Sequence, residues 1–170
     1  GFCIVVVDMT KMEIRDTYII GNDNTYVNVN DITLYDNKLY AATSRGVIFA
    51  DYDNPNLADH SQWQLDRSMI HDLVNYSEIE TFNGRLIANY SENKYNTDTM
   101  FVHDGTSWDY FLKDDNSIKR EIKAYDDRLI LSKHYSVMVY DKNINLLSNF
   151  ANSLEPFATT YDVNRNCYWI

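Results

Sequence analysis

Short runs in which apolar and polar residues alternate, separated by tight polar turns, fill almost the whole chain. An alternation of period two puts every second side chain on a buried face, which predicts half-buried β-strands; helical periodicity is weak throughout. One unit reads Ile32-Thr-Leu-Tyr35, a polar turn at Asp36-Asn37, then Lys38-Leu39-Tyr-Ala-Ala42. It recurs as Ile79-Glu-Thr-Phe82 with Asn83-Gly84 and Arg85-Leu86-Ile-Ala-Asn89, and as Ile122-Lys-Ala-Tyr125 with Asp126-Asp127 and Arg128-Leu129-Ile-Leu-Ser132. A looser copy runs from Phe157 through Tyr161 to Tyr168. A second anchor closes a third strand on Asp in each unit: Val5-Val-Val-Asp8, Ile48-Phe-Ala-Asp51, Phe101-Val-His-Asp104 and Met138-Val-Tyr-Asp141. A fourth strand follows, as in Ser107–Leu112 and Leu146–Phe150.

Four short antiparallel strands recurring with a period of roughly 40 to 45 residues are the signature of a β-propeller blade. The expected fold is therefore all-β, a β-propeller segment of four-stranded antiparallel blades. Residues 1–20 supply the third and fourth strands of one blade, 27–66, 76–112 and 118–150 supply three whole blades, and 156–170 supply the first two strands of another. Together, 1–170 is a single β-propeller domain or part of one. The two half-blades either pair to close a small four-bladed ring, which would bring Cys3 and Cys167 into one sheet, or belong to a larger propeller from which this chain is a piece; the larger ring is the preferred expectation. Turn chemistry agrees, because Asn-Gly, Asp-Asn and Asp-Gly tolerate the left-handed backbone that tight hairpins need. The alternating apolar residues Ile32, Leu34, Leu39, Ile79, Leu86, Ile122, Leu129 and Leu131 are expected to pack blade on blade. The best helical candidate lies between Pro55 and Trp63, with one short turn over Asn56–Asp59.

Composition narrows the function. Fifteen Lys and Arg against 25 Asp and Glu give a formal charge of −10, which repels a phosphate backbone and makes nucleic acid and anionic membrane surfaces poor partners. With five Gly and two Pro in 170 residues, the chain is neither disordered nor collagen-like. Cys3 and Cys167, each flanked by apolar residues, read as buried thiols, with the redox compartment left open. The run Phe2–Val7 is too short to span a membrane. Both ends fall inside strand-like runs, so an export signal on a longer parent is compatible with the sequence.

Candidate chemistry is sparse. His60, His71, His103 and His134 fall in different units without ligand spacing, so no metal centre is expected. No glycine-rich phosphate loop and no Gly-x-Ser-x-Gly elbow is present. The loop Asp51-Tyr-Asp53-Asn-Pro-Asn56-Leu-Ala-Asp59 is dense in hard oxygens but lacks the glycine and distal glutamate of a calcium hand; a turn with a helix N-cap is the preferred reading. In Asp104-Gly105-Thr-Ser-Trp108 the Asp and Gly are adjacent, unlike the sialidase aspartate box, and Trp108 reads as an aromatic packed between blades. Asp114-Asp115 and Asp126-Asp127 are the paired carboxylates a glycosidase would need, but adjacent residues point different ways. The loop Tyr90-Ser-Glu-Asn-Lys-Tyr95-Asn96 has the aromatics and amides that suit a sugar, or is a solvated hairpin. No catalytic residue, metal or cofactor is expected, and no binding residue can be named.

One resemblance enters on particular residues. The run Gly1–Asp8, the segment Glu13-Ile-Arg-Asp-Thr-Tyr18-Ile-Ile-Gly21, then Val29–Ile32, Leu39–Thr43, Arg45–Asp51 and Asn54-Pro-Asn-Leu-Ala-Asp59 with Trp63 resemble the N-terminal β-propeller of PorZ-like proteins, surface-attached accessory proteins of the type IX secretion system of Bacteroidetes. The family usually has Gly where this chain has Cys3. The resemblance is most specific over residues 1–65 and implies a non-enzymatic interaction or scaffold module acting in type IX secretion and cargo attachment to the cell surface. It also implies export to the periplasm or the outer-membrane-associated cell surface, and protein partners at the outer membrane together with lipopolysaccharide or another glycan. Two alternatives stay open: a periplasmic polysaccharide-sensing propeller of a two-component regulator, which would precede a membrane span and a kinase, and a glycoside-active propeller.

Overall fold

The structure is a computed structural model that describes residues 3–21, 26–91, 97–115, 117–151, 156, 158–162, 164–165 and 167–169. Its described strands form an N-terminal pair, three four-stranded sheets and a C-terminal pair, all antiparallel. The N-terminal pair is β1 (Ile4–Asp8) and β2 (Glu13–Tyr18). The first blade is β3 (Val29–Tyr35), β4 (Lys38–Thr43), β5 (Gly46–Asp51) and β6 (Gln64–Leu65); the second is β7 (Tyr76–Phe82), β8 (Arg85–Tyr90), β9 (Thr99–His103) and β10 (Trp108–Phe111). The third is β11 (Lys119–Tyr125), β12 (Arg128–Lys133), β13 (Ser136–Asp141) and β14 (Leu146–Ala151), and the C-terminal pair is β15 (Thr160–Asp162) and β16 (Cys167–Trp169). Each sheet follows chain order, the meander of a propeller blade. Among the described residues, these antiparallel, mostly four-stranded sheets are those of the expected all-β propeller fold.

Local chemistry places the hairpins. Asp36 and Asn37 have φ of 45° and 57°, Asn83 and Gly84 have 49° and 70°, and Asp126 has 48°, the left-handed values that a two-residue turn matching strand twist requires. The register then follows, with Tyr35 opposite Lys38, Phe82 opposite Arg85 and Tyr125 opposite Arg128. Gly46 opens β5 at φ 108°, and a Cβ there would lie 2.2 Å from the Asp72 carbonyl oxygen; the segment after β6 passes too close for any side chain. Helical structure is confined, among the described residues, to one 3-10 turn at His60–Gln62. It sits just beyond the expected Asn56–Asp59, because Asp59 is its N-cap, accepting from the Ser61 N–H at 2.9 Å, and a cap residue lies outside the helix it starts.

The core lies between sheets. Tyr40, Ala42 and Val47 of the first blade meet Ile79, Leu86, Ala88, Phe101 and Trp108 of the second. Ile87, Met100 and Phe111 of the second meet Ile122, Leu129 and Leu131 of the third. On the other side of the first blade, Ala41, Ile48 and Ala50 are covered by β1 and β2 through Ile4, Val6 and Tyr18. Two of the residues expected to pack blade on blade do not: Ile32 and Leu34 are 38% and 48% exposed, whereas Ile79 and Ile122, at the position of Ile32 in the next blades, are 1% and 0% exposed. The face bearing Ile32 and Leu34 would be covered by the first two strands of a preceding blade, and β1–β2 supplies only the third and fourth.

Candidate functional site

The first strands of successive blades lie side by side, β3 against β7 and β7 against β11, and form the inner wall of the arc. Each is the edge of its sheet, so its outward backbone N–H groups lack a strand partner and need another acceptor. Carboxylates supply it. Asp31 on β3 accepts the Ile79 N–H of β7 at 3.1 Å with one oxygen and the Ile32 N–H at 2.9 Å with the other. Glu78, one repeat later, accepts the Ile122 N–H of β11. Glu121, one repeat further, accepts the Thr159 N–H at 2.5 Å and its hydroxyl at 3.0 Å. Asp31, Glu78 and Glu121 each stand one residue before the repeated isoleucine, so one structural position clasps every blade to the next.

A second row lies two residues along. Thr33 Oγ1 donates to Thr81 Oγ1 at 3.2 Å, Thr81 Oγ1 donates to the Leu34 carbonyl at 2.9 Å, and Glu80 accepts from the Thr81 and Ala124 N–H groups. Asn30 adds a bond to the Tyr76 carbonyl at 2.6 Å.

The wall holds more acid than base, and its titration is shifted accordingly. Burial, followed by the charge of Asp31, raises the Glu78 carboxyl to about 8, against the opposing pull of Lys123 and the Ile122 N–H. Burial also raises Glu80. Burial alone would lower Lys123, but Asp31, Glu80, Glu78 and Glu121 outweigh it and hold its ammonium charged.

A further polar cluster ties the second blade to the third. The buried Asp98 accepts the Lys119 N–H at 2.6 Å and Asn89 Nδ2 at 2.9 Å. Lys119 Nζ, fully enclosed, donates to the Asp115 and Ser117 carbonyls at 2.6 and 2.8 Å. Asp115 also pairs with Lys133 at 2.5 Å. Burial pushes Asp115 up, yet Lys133, Ser117 and Lys119 bring it to about 2. Such a network fixes the joint between two sheets because each buried charge has an opposite partner.

The residues singled out from sequence are not gathered anywhere. His71 packs against Tyr90 and Phe101, His103 lies between Tyr35 and Trp108, and His134 rests on Tyr135. Among the described residues, no group of three His, Cys, Asp or Glu side chains converges on a point that would hold a metal. The oxygen-rich loop turns inward on itself: Asn37 donates to Asp53, Asn54 to Gln62, and Asn54 Oδ1 accepts the Asn56 N–H. Asp104 accepts from the Thr106 and Ser107 N–H groups, which closes its turn, and Trp108 packs between the first two blades with Nε1 donating to Asp66 at 3.0 Å. Asp115 belongs to the cluster above, and Asp127 pairs with its neighbour Arg128. Of the aromatic loop Tyr90–Asn96, residues 92–96 lie outside the described residues. Cys3 and Cys167 are free thiols, and the two half-blades form separate sheets. The inner carboxylates were missed, although their shared place before the repeated isoleucine was the available signal.

Residues 1–64 match the family model for the type IX secretion PorZ N-terminal β-propeller domain. No curated protein matches the chain. Among solved structures, 95% of the chain superposes on PorZ, described as an essential bacterial surface component of the type IX secretion system of Porphyromonas gingivalis, with a TM-score of 0.62 and 14% identity. The chain spans 21% of that structure's length. It also superposes on two computationally designed proteins: Ika4, with a TM-score of 0.56, 10% identity and 85% of this chain against 86% of that one, and Ika8, with 0.57, 11%, 96% and 51%. The repeat and the blade meander make this chain a β-propeller, and its residues 1–64 are similar to the PorZ N-terminal β-propeller domain.

Proposed function

We propose that residues 1–170 act as one non-catalytic interaction module of an exported PorZ-like component that works in type IX secretion, with protein partners at the outer membrane. The observation that carries this reading is the commitment of the inner-wall carboxylates to backbone. A propeller glycosidase needs a protonated acid and an ionised carboxylate facing one substrate across roughly 5 to 9.5 Å. Asp31, Glu78 and Glu121 instead each hold an amide of the neighbouring strand, which leaves them as structural clasps. The match of residues 1–64 to the PorZ propeller model supports the link to secretion. What remains for function is a rigid surface of turns and blade edges, suited to docking.

The test is capture. Immobilised chain is incubated with detergent-solubilised outer membranes from a Bacteroidetes species that uses type IX secretion, and bound proteins are identified by mass spectrometry. Retention of a secretion-system component, with no turnover on a glycoside panel, is expected. Turnover that is lost in Glu78→Gln would overturn the reading.

A further inference from the structure

One position of the fourth strand recurs in all three whole blades, and two of them give it tryptophan. Trp108 opens β10 opposite His103, and Leu146 opens β14 opposite Tyr140; His103 and Tyr140 each precede the aspartate that closes a third strand. Trp63 precedes Gln64, the partner of Phe49, which puts it in register with Ala50, just before Asp51. Each tryptophan fills the seam between its own sheet and the one before: Trp63 is 1% exposed and lies against Tyr18, and Trp108 is 7% exposed among Tyr40, Val47 and Met69. Leu146 is 49% exposed. Residues opposite each other on paired strands share a face, and Tyr140 packs with Phe82 and Phe111 of the second blade. Leu146 therefore faces the seam between the second and third blades without filling it.

A cavity of about 440 Å³ lies in that seam beside Tyr140, lined among others by Leu112, Asp115, Lys133 and Met138. Its polar end repeats as well. Asp66 accepts the N–H and hydroxyl of Ser68 with one oxygen and the Trp108 Nε1–H with the other. Asp115 accepts the N–H and hydroxyl of Ser117 in the same way, but its other oxygen meets Lys133. Lys133 stands where the indole nitrogen stands in the preceding seam, and the place of the ring is the cavity.

We propose that this cavity takes a tryptophan side chain from a partner protein. Leu112 and Met138 give the ring apolar and polarizable contact, and the Lys133 ammonium gives its face a cation. The Tyr140 hydroxyl donates to the Met138 sulfur at 3.6 Å, and its oxygen is an acceptor for the indole N–H. A tryptophan seated in a well-packed pocket is a common anchor of a protein interface. That the occupant is a protein rests on the docking reading above; the choice of an aromatic ring stands on the seam itself, so a capped single residue tests it with no secretion component present.

The experiment is an amide NMR titration of the 170-residue chain with N-acetyl-tryptophan amide up to about 10 mM, beside N-acetyl-leucine amide. The largest shifts are expected at Lys133, Met138 and Tyr140, with the leucine probe bound about tenfold more weakly or not at all. Leu146→Trp supplies the ring from within the chain and is expected to abolish those shifts while raising Tm by a few degrees, as cavity filling does. Should that variant misfold, Met138→Phe narrows the same cavity from β13 and is expected to weaken the titration. No shift at the three amides, an equal response to the leucine probe, or an undiminished titration in the folded variant would each overturn the proposal.

Discussion

Asp31 Oδ2 accepts the backbone N–H of Ile79 at 3.1 Å, from 48 residues earlier and one blade away. The same position in the next blade, Glu78, holds Ile122, and the next again, Glu121, holds Thr159. In a propeller the inner strands are edges that cannot all be paired by other strands, and an unpaired buried amide is costly. A carboxylate repeated once per blade removes that cost and fixes the spacing of the sheets.

Removing one clasp leaves an amide unmet and an inner edge open. Asp31→Ala is expected to destabilise the chain by about 1 to 3 kcal/mol, the range for leaving a buried donor unsatisfied. Asp31→Asn keeps an acceptor and is expected to cost less. Urea unfolding followed by tryptophan fluorescence measures both; equal losses would mean that the oxygen acceptor is immaterial.

Glu78 predicts a pH dependence of definite sign. Its carboxyl ionises near 4.5 ordinarily and near 8 in the fold, chiefly because it is buried. Between those values the folded chain keeps a proton that the unfolded chain releases. Stability therefore falls as pH rises from about 4.5 to about 8, with a slope of up to about 1.4 kcal/mol per pH unit, and this contribution is flat above. Glu78→Gln, neutral throughout, loses that slope and is the more stable protein at pH 9. Urea midpoints between pH 5 and 9 test it; parallel curves for the two proteins would contradict the assignment.

Gly46 is intolerant of a side chain. A methyl group would need a left-handed backbone at φ 108° and would meet the Asp72 carbonyl oxygen. Gly46→Ala is expected to cost more than about 2 kcal/mol, a fall in Tm of several degrees for a chain of this size. Gly84→Ala, with open space around its Cβ, is expected to cost less, and calorimetry on the pair separates contact from backbone strain.

Trp108 joins two blades through a polar bond as well as its ring. Its Nε1–H donates to the buried Asp66, whose other oxygen is held by Ser68. Trp108→Phe retains most of the ring packing but strands one carboxylate oxygen, for an expected loss of about 1 to 3 kcal/mol. Combining it with Asp66→Asn is expected to cost less than the two changes added together, because the partners share one bond.

Much of this was legible in the sequence because it is local. Asp36-Asn37 and Asn83-Gly84 announce turns through their own backbone preferences, and the alternation through Ile79 and Leu86 or Ile122 and Leu129 places those residues in the core directly. Ile32 and Leu34 follow the same alternation yet lie open, since burial depends on a neighbouring sheet and not on the strand itself. The carboxylate row is intermediate: Asp31, Glu78 and Glu121 align once the repeat is written out, but their acceptor role depends on amides 38 to 48 residues on. The histidines and acidic turns lie apart in the fold, because motif spacing says nothing of where blades bring side chains together.

The blade-to-blade clasp is tested most directly by amide hydrogen exchange, read residue by residue by NMR in Asp31→Asn, Glu78→Gln and Glu121→Gln. Each substitution is predicted to speed exchange most at its own partner amide, Ile79, Ile122 or Thr159 respectively, with the other two amides little changed. Exchange at those three amides that is the same in all variants as in the parent chain would contradict the account.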